Sequence, residues 1–306
     1  NEIGLPLTAL RCDASTRFLV AEMGARMPGN IAYLTRVTPP DYAVVLNVGA
    51  AHAGVFGSRE ATAATKGELP EALGEGGVAV LNADDPLVAA MAERTVATVV
   101  TFGVESVSAD VRADDVRLDG DLRPSFRLRS AWGDAEVRLA ARGRHQVVNA
   151  LAAAAAALST GVAPEAVAEG LAQATLSPHR MDLVRAASGA RVLNDAYNAN
   201  PTSMVAGLRA LAAIDAEHRV AVLGVMAELG ADGEQAHTDV TALARSLGID
   251  VIAVTAPAYG EGATHVDDVP AAIDALGALD LGEHDAVLVK GSRVAALERV
   301  VEALVP

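Results

Sequence analysis

Two short apolar runs each have a side chain that binds metals well at or just after their end. Glu22 lies in the run Arg17–Met23, and His52 follows the run Tyr42–Val48. Parallel α/β sheets bind their ligands at the carboxyl ends of the strands, so these two side chains are suited to share a divalent cation such as Mg²⁺. The plainer alternative is that Glu22 caps a helix and His52 is a surface histidine, and the spacing leaves both interpretations open.

Asp and Asn residues are concentrated at the end of another apolar run, before a proline. Asp195, Asn198 and Asn200 follow the run Arg191–Asn194 and precede Pro201. An acidic residue at a strand end suits a ribose hydroxyl of a nucleotide. An Asx turn before a helix that starts with proline explains the same residues, and the sequence alone does not choose between them.

Cations are placed in two further segments. Lys290, Ser292 and Arg293 follow the final strand-like run and open the last helical pattern, where two cations and helix amides suit an anion. An ordinary turn between strand and helix is the alternative. Lys66 lies within a helical pattern, where most lysines are simply solvated.

Composition and missing motifs exclude several classes of protein. The net charge of −15 disfavours broad binding to nucleic acid. The seven histidines show no zinc-ligand spacing, and no Gly-Lys-Ser/Thr phosphate loop or Gly-x-Ser-x-Gly elbow is present. A single cysteine, Cys12, fits a reducing compartment, and we expect a cytoplasmic protein. No apolar stretch is long enough to span a bilayer.

Strand-like and helical runs alternate in the first half of the chain, which predicts a mostly parallel α/β sheet. The predicted strands are Arg17–Met23, Tyr42–Val48, Val78–Asn82 and Val96–Phe102, with helices Glu60–Leu73 and Asp85–Arg94. Between residues 107 and 140 the period falls to two, which predicts a small antiparallel sheet. A helix over Gln146–Ser159 follows.

The α/β alternation restarts after Pro178, and we therefore predict two domains, 1–178 and 179–306. The second is expected to be a doubly wound, Rossmann-like unit. Its predicted strands are Arg191–Asn194, Arg219–Leu223, Asp250–Thr255 and Ala286–Val289, and its predicted helices are Thr202–Ile214, Gln235–Leu247, Val269–Leu279 and Val294–Leu304.

Ten short segments in one order carry a resemblance to a known family. They are Asn1-Glu2-Ile3-Gly4-x-Pro6-Leu7-Thr8, Glu22-Met23-Gly24, Asn47-Val48-Gly49-x-Ala51-His52, Phe56-Gly57-Ser58, Lys66-Gly67-Glu68, Gly143-Arg144-His145-x-x-x-Asn149-Ala150, His179-Arg180-Met181, Asp195-x-Tyr197-Asn198-Ala199-Asn200-Pro201, Gly224-x-Met226-x-Glu228-Leu229-Gly230 and Lys290-Gly291-Ser292-Arg293. Together they resemble the Mur ligase superfamily over essentially the whole chain.

The resemblance implies an ATP-dependent amide ligase that activates a carboxylate as an acyl phosphate. It is strongest to members that join D-Ala-D-Ala to UDP-N-acetylmuramoyl-tripeptide in peptidoglycan synthesis. It implies catalytic or Mg²⁺-binding roles for Glu22, His52 and a carbamylated Lys66. For the nucleotide it implies Asn149, Arg180, Asp195 and Asn198, and for the peptide substrates Asn200, Lys290, Ser292 and Arg293.

The resemblance also implies an N-terminal domain and a phosphate loop upstream of Asn1. Without them we expect the 306-residue chain, taken as a monomer, to be inactive as a ligase. The alternatives are a sister Mur ligase, a folylpolyglutamate synthetase-like ligase, or a non-catalytic remnant that acts as a binding module. The last alternative predicts no metal at Glu22 and His52.

Overall fold

A computed structural model describes residues 1–49, 58–227, 229 and 233–305. The described residues form ten α-helices and two sheets of six strands each. The helices are α1 Gly4–Ala9, α2 Asn30–Val37, α3 Arg59–Glu71, α4 Pro86–Ala89, α5 Gln146–Ser159, α6 Pro164–Gln173, α7 Pro201–Ala213, α8 Gly233–Ser246, α9 Val269–Gly277 and α10 Glu298–Leu304. The strands are β1 Tyr42–Val45, β2 Val78–Asn82, β3 Thr98–Gly103, β4 Val111–Leu118, β5 Pro124–Ser130, β6 Ala135–Arg138, β7 Asp182–Arg185, β8 Arg191–Asp195, β9 Arg219–Leu223, β10 Asp250–Val254, β11 Thr264–Val266 and β12 Ala286–Lys290.

The first sheet follows chain order from β1 to β6. Its first four strands pair in parallel, with Val44 opposite Val80 and Val80 opposite Val100. Apolar side chains of β1, β2 and β3 pack into one core with α3 and α4. Strands β5 and β6 complete the sheet after a turn at Asp119–Arg123, in the region where the sequence predicts a switch to period two.

The predicted strand at Arg17–Met23 is wrong, because these residues form no regular secondary structure. A strand requires a hydrogen-bonded neighbour, and among the described strands β1 pairs only with β2. Phe18 and Val20 are 63% and 94% exposed. The apolar composition of the run indicates a strand but does not supply its partner.

The second sheet has the order β11-β10-β9-β12-β8-β7. All of its pairings are parallel except that of the edge strand β7 with β8. Strands β9, β12 and β8 are adjacent, so the segments that follow them leave from the same edge of the sheet. Apolar cores lie on both faces, one with α7 and α8 and the other with α9 and α10. This arrangement confirms the predicted doubly wound unit.

Two predicted helices differ from the structure in form. The run Asp85–Arg94 divides into α4 and a 3₁₀ turn at Ala90–Arg94. The run Val294–Leu304 divides into a 3₁₀ turn and α10, because Ala296 adopts the left-handed conformation with φ 49°. Helical periodicity in the sequence does not distinguish an α-helix from a 3₁₀ turn followed by a helix.

The chain divides into two compact units. The first consists of residues 1–115, 127–136 and 147–169, and the second of residues 116–126, 137–146 and 170–306. No helix among the described residues has the length and hydropathy needed to cross a membrane.

Candidate functional site

In the first unit, polar side chains hold the segment that leaves β1. Asn82 donates to the carbonyl of Leu46 at 2.8 Å, and Lys66 Nζ donates to the carbonyl of Asn47 at 2.7 Å. Asp85 Oδ2 accepts from the amide of Val48 at 2.6 Å. These bonds replace ladder bonds, which explains why β1 ends at Val45 and not at the predicted Val48.

The three residues of the segment Lys66-Gly67-Glu68 on α3 each contact a different part of the chain. Lys66 contacts the segment after β1, as described above. The carboxylate of Glu68 accepts from the amides of Gly29 and Ala32 at 2.7 and 2.9 Å and so caps the start of α2. Gly67 lies where the guanidinium of Arg94 crosses α3. The segment therefore joins α2, α3 and the residues after β1.

Lys66 has an unusual electrostatic environment for a helix lysine. Burial lowers the pKa of its ammonium group, and the nearby Asp85 carboxylate opposes that shift. A lowered pKa increases the neutral fraction of the amine, which is the form that reacts with CO₂. Lys66 is half-buried and bonded to the carbonyl of Asn47, so it differs from a fully solvated helix lysine.

Of the other two members of the predicted metal set, Glu22 alone lies within the described residues. Glu22 is exposed and makes no hydrogen bond or ion pair within the described part of the chain. His52 lies outside the described residues. The described residues contain no cluster of three or more His, Cys, Asp or Glu side chains that could hold a metal ion. Asn149 is exposed on α5.

In the second unit, the structure joins two of the predicted site residues directly. Lys290, at the end of β12, is 2% exposed and donates to Asp195 Oδ2 at 2.5 Å. It also donates to the carbonyl of Asn198 at 2.9 Å. The second oxygen of Asp195 accepts from the amide of Met181 at 3.2 Å. Lys290 therefore neutralises Asp195 and holds the segment after β8.

The buried pair affects the ionisation of its surroundings. Burial lowers the pKa of Lys290, while the Asp195 carboxylate acts in the opposite direction. Burial also lowers the pKa of His145, with the charges of Asp195 and Lys290 acting in opposite directions on the imidazole. Burial thus favours the neutral form of His145.

Asn198 and Asn200 shape the segment between β8 and α7. Asn200 is the N-cap of α7, and its side chain accepts from the amide of Ser203 at 2.9 Å while Ser203 Oγ accepts from the amide of Asn200 at 3.0 Å. Asn198 is exposed, and its Oδ1 accepts from the amide of Ala199. For Asn200, the plainer interpretation as a cap before Pro201 is confirmed.

Ser292 links three segments of the second unit. It is 4% exposed; its Oγ accepts from the amide of Ala227 at 3.0 Å and donates to the carbonyl of Ala199 at 3.2 Å. Its own amide donates to the carbonyl of Val225 at 2.9 Å. The hydroxyl is therefore engaged inside the protein.

Two exposed cations share one aromatic ring. The guanidinium of Arg180 lies 4.0 Å from the ring centroid of Tyr197, and that of Arg293 lies 5.8 Å from the same centroid. Cation–π attraction of this kind orients guanidinium groups. Two oriented cations beside the segment after β8 form a suitable site for an anionic ligand such as a phosphate or carboxylate.

Several residues that the structure places in these clusters are not predicted from the sequence. Asn82 ends β2 and Asp85 follows it, and both hold the segment after β1. Tyr197 orients the two cations. The signal for Asp85 was its position directly before Pro86, which is typical of a helix cap. No sequence signal indicates that Tyr197 contacts Arg180 and Arg293.

The chain is an α/β protein of two compact units, with two largely parallel sheets and polar clusters where strands end. Proteins of this class bind their ligands at the carboxyl ends of the strands. The chain belongs to the Mur ligase family. Residues 1–157 match the profile of the Mur ligase middle domain, and residues 179–293 match that of the glutamate ligase domain of Mur ligases. The resemblance inferred from the ten segments is thereby confirmed.

Particular members of the family are similar to the chain over its whole length. It is 46% identical to the UDP-N-acetylmuramoyl-tripeptide–D-alanyl-D-alanine ligase of Mycobacterium tuberculosis, covering 100% of this chain and 66% of that protein. The crystal structure of MurF from Acinetobacter baumannii superposes with a TM-score of 0.91 at 31% identity, over 99% of this chain and 68% of that one. The crystal structure of the MurF ligase of Thermotoga maritima in complex with ADP superposes with a TM-score of 0.87 at 29% identity. That superposition covers 98% of this chain and 70% of that one.

The chain spans just under two thirds of the length of the curated mycobacterial relative. The likeness therefore concerns the middle and C-terminal domains of the family.

Proposed function

We propose that the protein is an ATP-dependent amide ligase that joins D-Ala-D-Ala to UDP-N-acetylmuramoyl-tripeptide, a step of peptidoglycan precursor synthesis. The observation that carries the proposal is the 46% identity across the whole chain to a ligase of that name. The polar clusters at the strand ends support it, because they hold the oriented cations that an anionic nucleotide and peptide require.

We propose that the domain boundary lies at 178/179. Asn149, Arg180, Asp195 and Asn198 serve the nucleotide, with Arg180 directed at its phosphates. Asn200, Ser292 and Lys290 act from inside the protein, since their polar atoms are bonded to neighbouring segments. Arg293 is exposed and is the residue we assign to a peptide carboxylate.

The donor chemistry restricts how Mg²⁺ can be held. An unmodified Lys66 does not fit a Mg²⁺ site, because its ammonium repels a cation. Carbamylation turns Lys66 into an anionic oxygen donor, and we propose Glu22, His52 and carbamylated Lys66 as the metal-binding set. Bound Mg²⁺ would neutralise charge on the phosphates. The lowered pKa of Lys66 favours the modification.

An intact mass spectrum in bicarbonate buffer tests the modification. We expect the chain to gain the mass of one CO₂, and the Lys66→Arg variant not to gain it. An unmodified wild-type mass under conditions that preserve carbamates would contradict the assignment.

The reaction itself is tested on the complete natural gene product. ATP, Mg²⁺, UDP-N-acetylmuramoyl-tripeptide and D-Ala-D-Ala are expected to yield the pentapeptide product with one phosphate released. D-glutamate, diaminopimelate and folate with glutamate are supplied in parallel reactions. Product formed only from one of those alternatives identifies a sister ligase, and no nucleotide binding at all favours the non-catalytic alternative.

A further inference from the structure

The turn that follows β9 is held by two buried side chains to which the sequence and the family comparison assign no role. His237 on α8 is 4% exposed, and Tyr259 is 1% exposed. Their rings meet edge to face with centroids 4.8 Å apart. Both residues lie in the second unit, on the side of the sheet where α8 packs.

Each of the two side chains bonds the backbone of the turn at residues 224–227. His237 Nε2 accepts from the amide of Met226 at 2.9 Å, and the Tyr259 hydroxyl donates to the carbonyl of Gly224 at 2.8 Å. The other ring nitrogen of His237, Nδ1, donates to the carbonyl of Gly233 at 2.6 Å. These bonds require a neutral imidazole with its proton on Nδ1.

The same turn contacts the segment after β12. The amide of Gly224 donates to the carbonyl of Lys290 at 2.9 Å, and the carbonyl of Val225 accepts from the amide of Ser292 at 2.9 Å. The amide of Ala227 donates to Ser292 Oγ. The backbones approach closely here, since a Cβ on Gly224 would come within 2.7 Å of the Cβ of Ala295.

Ser292 also connects this turn to the segment after β8, because its hydroxyl donates to the carbonyl of Ala199. The side chains of His237 and Tyr259 therefore hold the backbone at residues 224–227. That backbone is bonded to Ser292, which lies beside Arg293 and bonds Ala199 beside Asn200. We propose that His237 and Tyr259 are positioning residues that set the geometry of the peptide-binding side of the site. This inference rests on the proposed ligase function.

Three variants separate the contribution of the acceptor from that of packing. His237→Phe keeps a ring but leaves the buried amide of Met226 without its acceptor. His237→Gln supplies an oxygen that can take the place of Nε2. Tyr259→Phe removes only the hydroxyl that bonds Gly224. His284→Phe, at an exposed histidine, is the matched control.

Steady-state kinetics of the full-length enzyme are expected to show a selective effect. Loss of one buried hydrogen bond to a backbone group corresponds to a change of about tenfold, so His237→Phe should raise KM for D-Ala-D-Ala about tenfold. KM for ATP should change little. In His237→Gln the KM for D-Ala-D-Ala should return close to the wild-type value. Tyr259→Phe should raise this KM less than His237→Phe does, and His284→Phe should match the wild type.

A readout independent of activity uses the 306-residue chain itself. Long-range ¹H–¹⁵N spectra should show His237 as the neutral Nδ1–H form, and the amide of Met226, one of six methionines, should exchange slowly with solvent. Its exchange should become faster in His237→Phe. If wild-type enzyme makes no product, the proposed function fails, while these spectra still decide the bonding of His237.

Two results overturn the inference. The first is an unchanged KM for the dipeptide in a folded His237→Phe or Tyr259→Phe enzyme. The second is an equal loss of kcat and of affinity for both substrates that His237→Gln does not restore, which is the signature of a merely structural role. If His237→Phe does not fold, Tyr259→Phe alone decides between these results.

Discussion

At the scale of single residues, the predicted site side chains of the second unit are engaged mainly with one another. Lys290 and Asp195 form a buried ion pair, and Ser292 bonds two backbone groups. Arg180 and Arg293 are the predicted cations that remain exposed. The residues thus divide into those that are bonded inside the protein and those that are exposed.

Removing one partner of the buried ion pair is expected to lower the free energy of unfolding more than removing both partners. Asp195→Leu leaves the Lys290 ammonium buried without its carboxylate and should lower the free energy of unfolding by about 3–5 kcal/mol. The double variant Asp195→Leu/Lys290→Met should regain much of that loss. Urea titrations followed by circular dichroism measure it, and additive losses would contradict the pairing.

Tyr197 is expected to act through its ring and not through its hydroxyl. Tyr197→Phe keeps the face on which Arg180 and Arg293 lie, so affinity for ADP should stay near that of the wild type. Tyr197→Leu removes the ring and should weaken ADP binding by about 0.5–1 kcal/mol. Isothermal titration calorimetry on the full-length enzyme measures both. Equal affinities for Phe and Leu variants would show that the ring does not orient Arg180.

At the scale of elements, α3 is tied to its neighbours by residues around Lys66. Arg94, at the end of the 3₁₀ turn after α4, donates to Glu71 at 2.7 Å and to the carbonyl of Ala64 at 2.9 Å. It crosses α3 at Gly67, where the missing side chain makes room for it. The position of Lys66 therefore depends on a contact between two elements.

Gly67→Ala is expected to destabilise the chain despite the higher helix propensity of alanine. The added Cβ would overlap the Arg94 guanidinium, and such overpacking costs about 1–3 kcal/mol. In an Arg94→Ala background the same substitution should become neutral or stabilising, by up to about 1 kcal/mol. A double-mutant cycle from urea titrations measures the coupling, and identical effects in both backgrounds would refute the contact.

At the scale of the whole molecule, a net charge of −15 is combined with a few cations in defined places. Lys290 is neutralised inside the second unit, and Arg180 and Arg293 are oriented on Tyr197. A repulsive overall field makes such local cations necessary for an anionic substrate. His145, beside the ion pair, links the site to the pH dependence of folding.

Stability is expected to fall as the pH drops below about 6.5, in part because of His145. Its pKa is lowered from 6.5 in the folded chain, so the unfolded chain binds a proton at a higher pH than the folded one does. Folding therefore loses stability from pH 6.5 down to the lowered value. His145→Gln should flatten this part of the profile.

Urea titrations between pH 8 and pH 5 measure that profile. His284→Gln, at an exposed position, is the control and should follow the wild type. A wild-type slope retained in His145→Gln would assign the pH dependence to other groups.

The sequence predicted the alternation of strands and helices well where strands are buried on both faces. Strands β2, β8, β9 and β12 lie within one or two residues of their predicted bounds, because a buried parallel strand reads as a continuous apolar run. The short edge strands β7 and β11 were not predicted. The run Arg17–Met23 has the composition of a strand but no partner among the described strands.

The sequence by itself determined the family, the α/β class and the residue types at the ends of the strands, since these depend on local patterns and on the order of short segments. Only the tertiary structure decided which of those residues are buried and which remain exposed. Lys290 and Arg293 look equivalent as two cations after one strand, yet one is buried against Asp195 and the other is exposed. The difference arises because Asp195 and Asn198 are brought to Lys290 from β8, 95 and 92 residues away along the chain, by strand pairing that no local pattern contains.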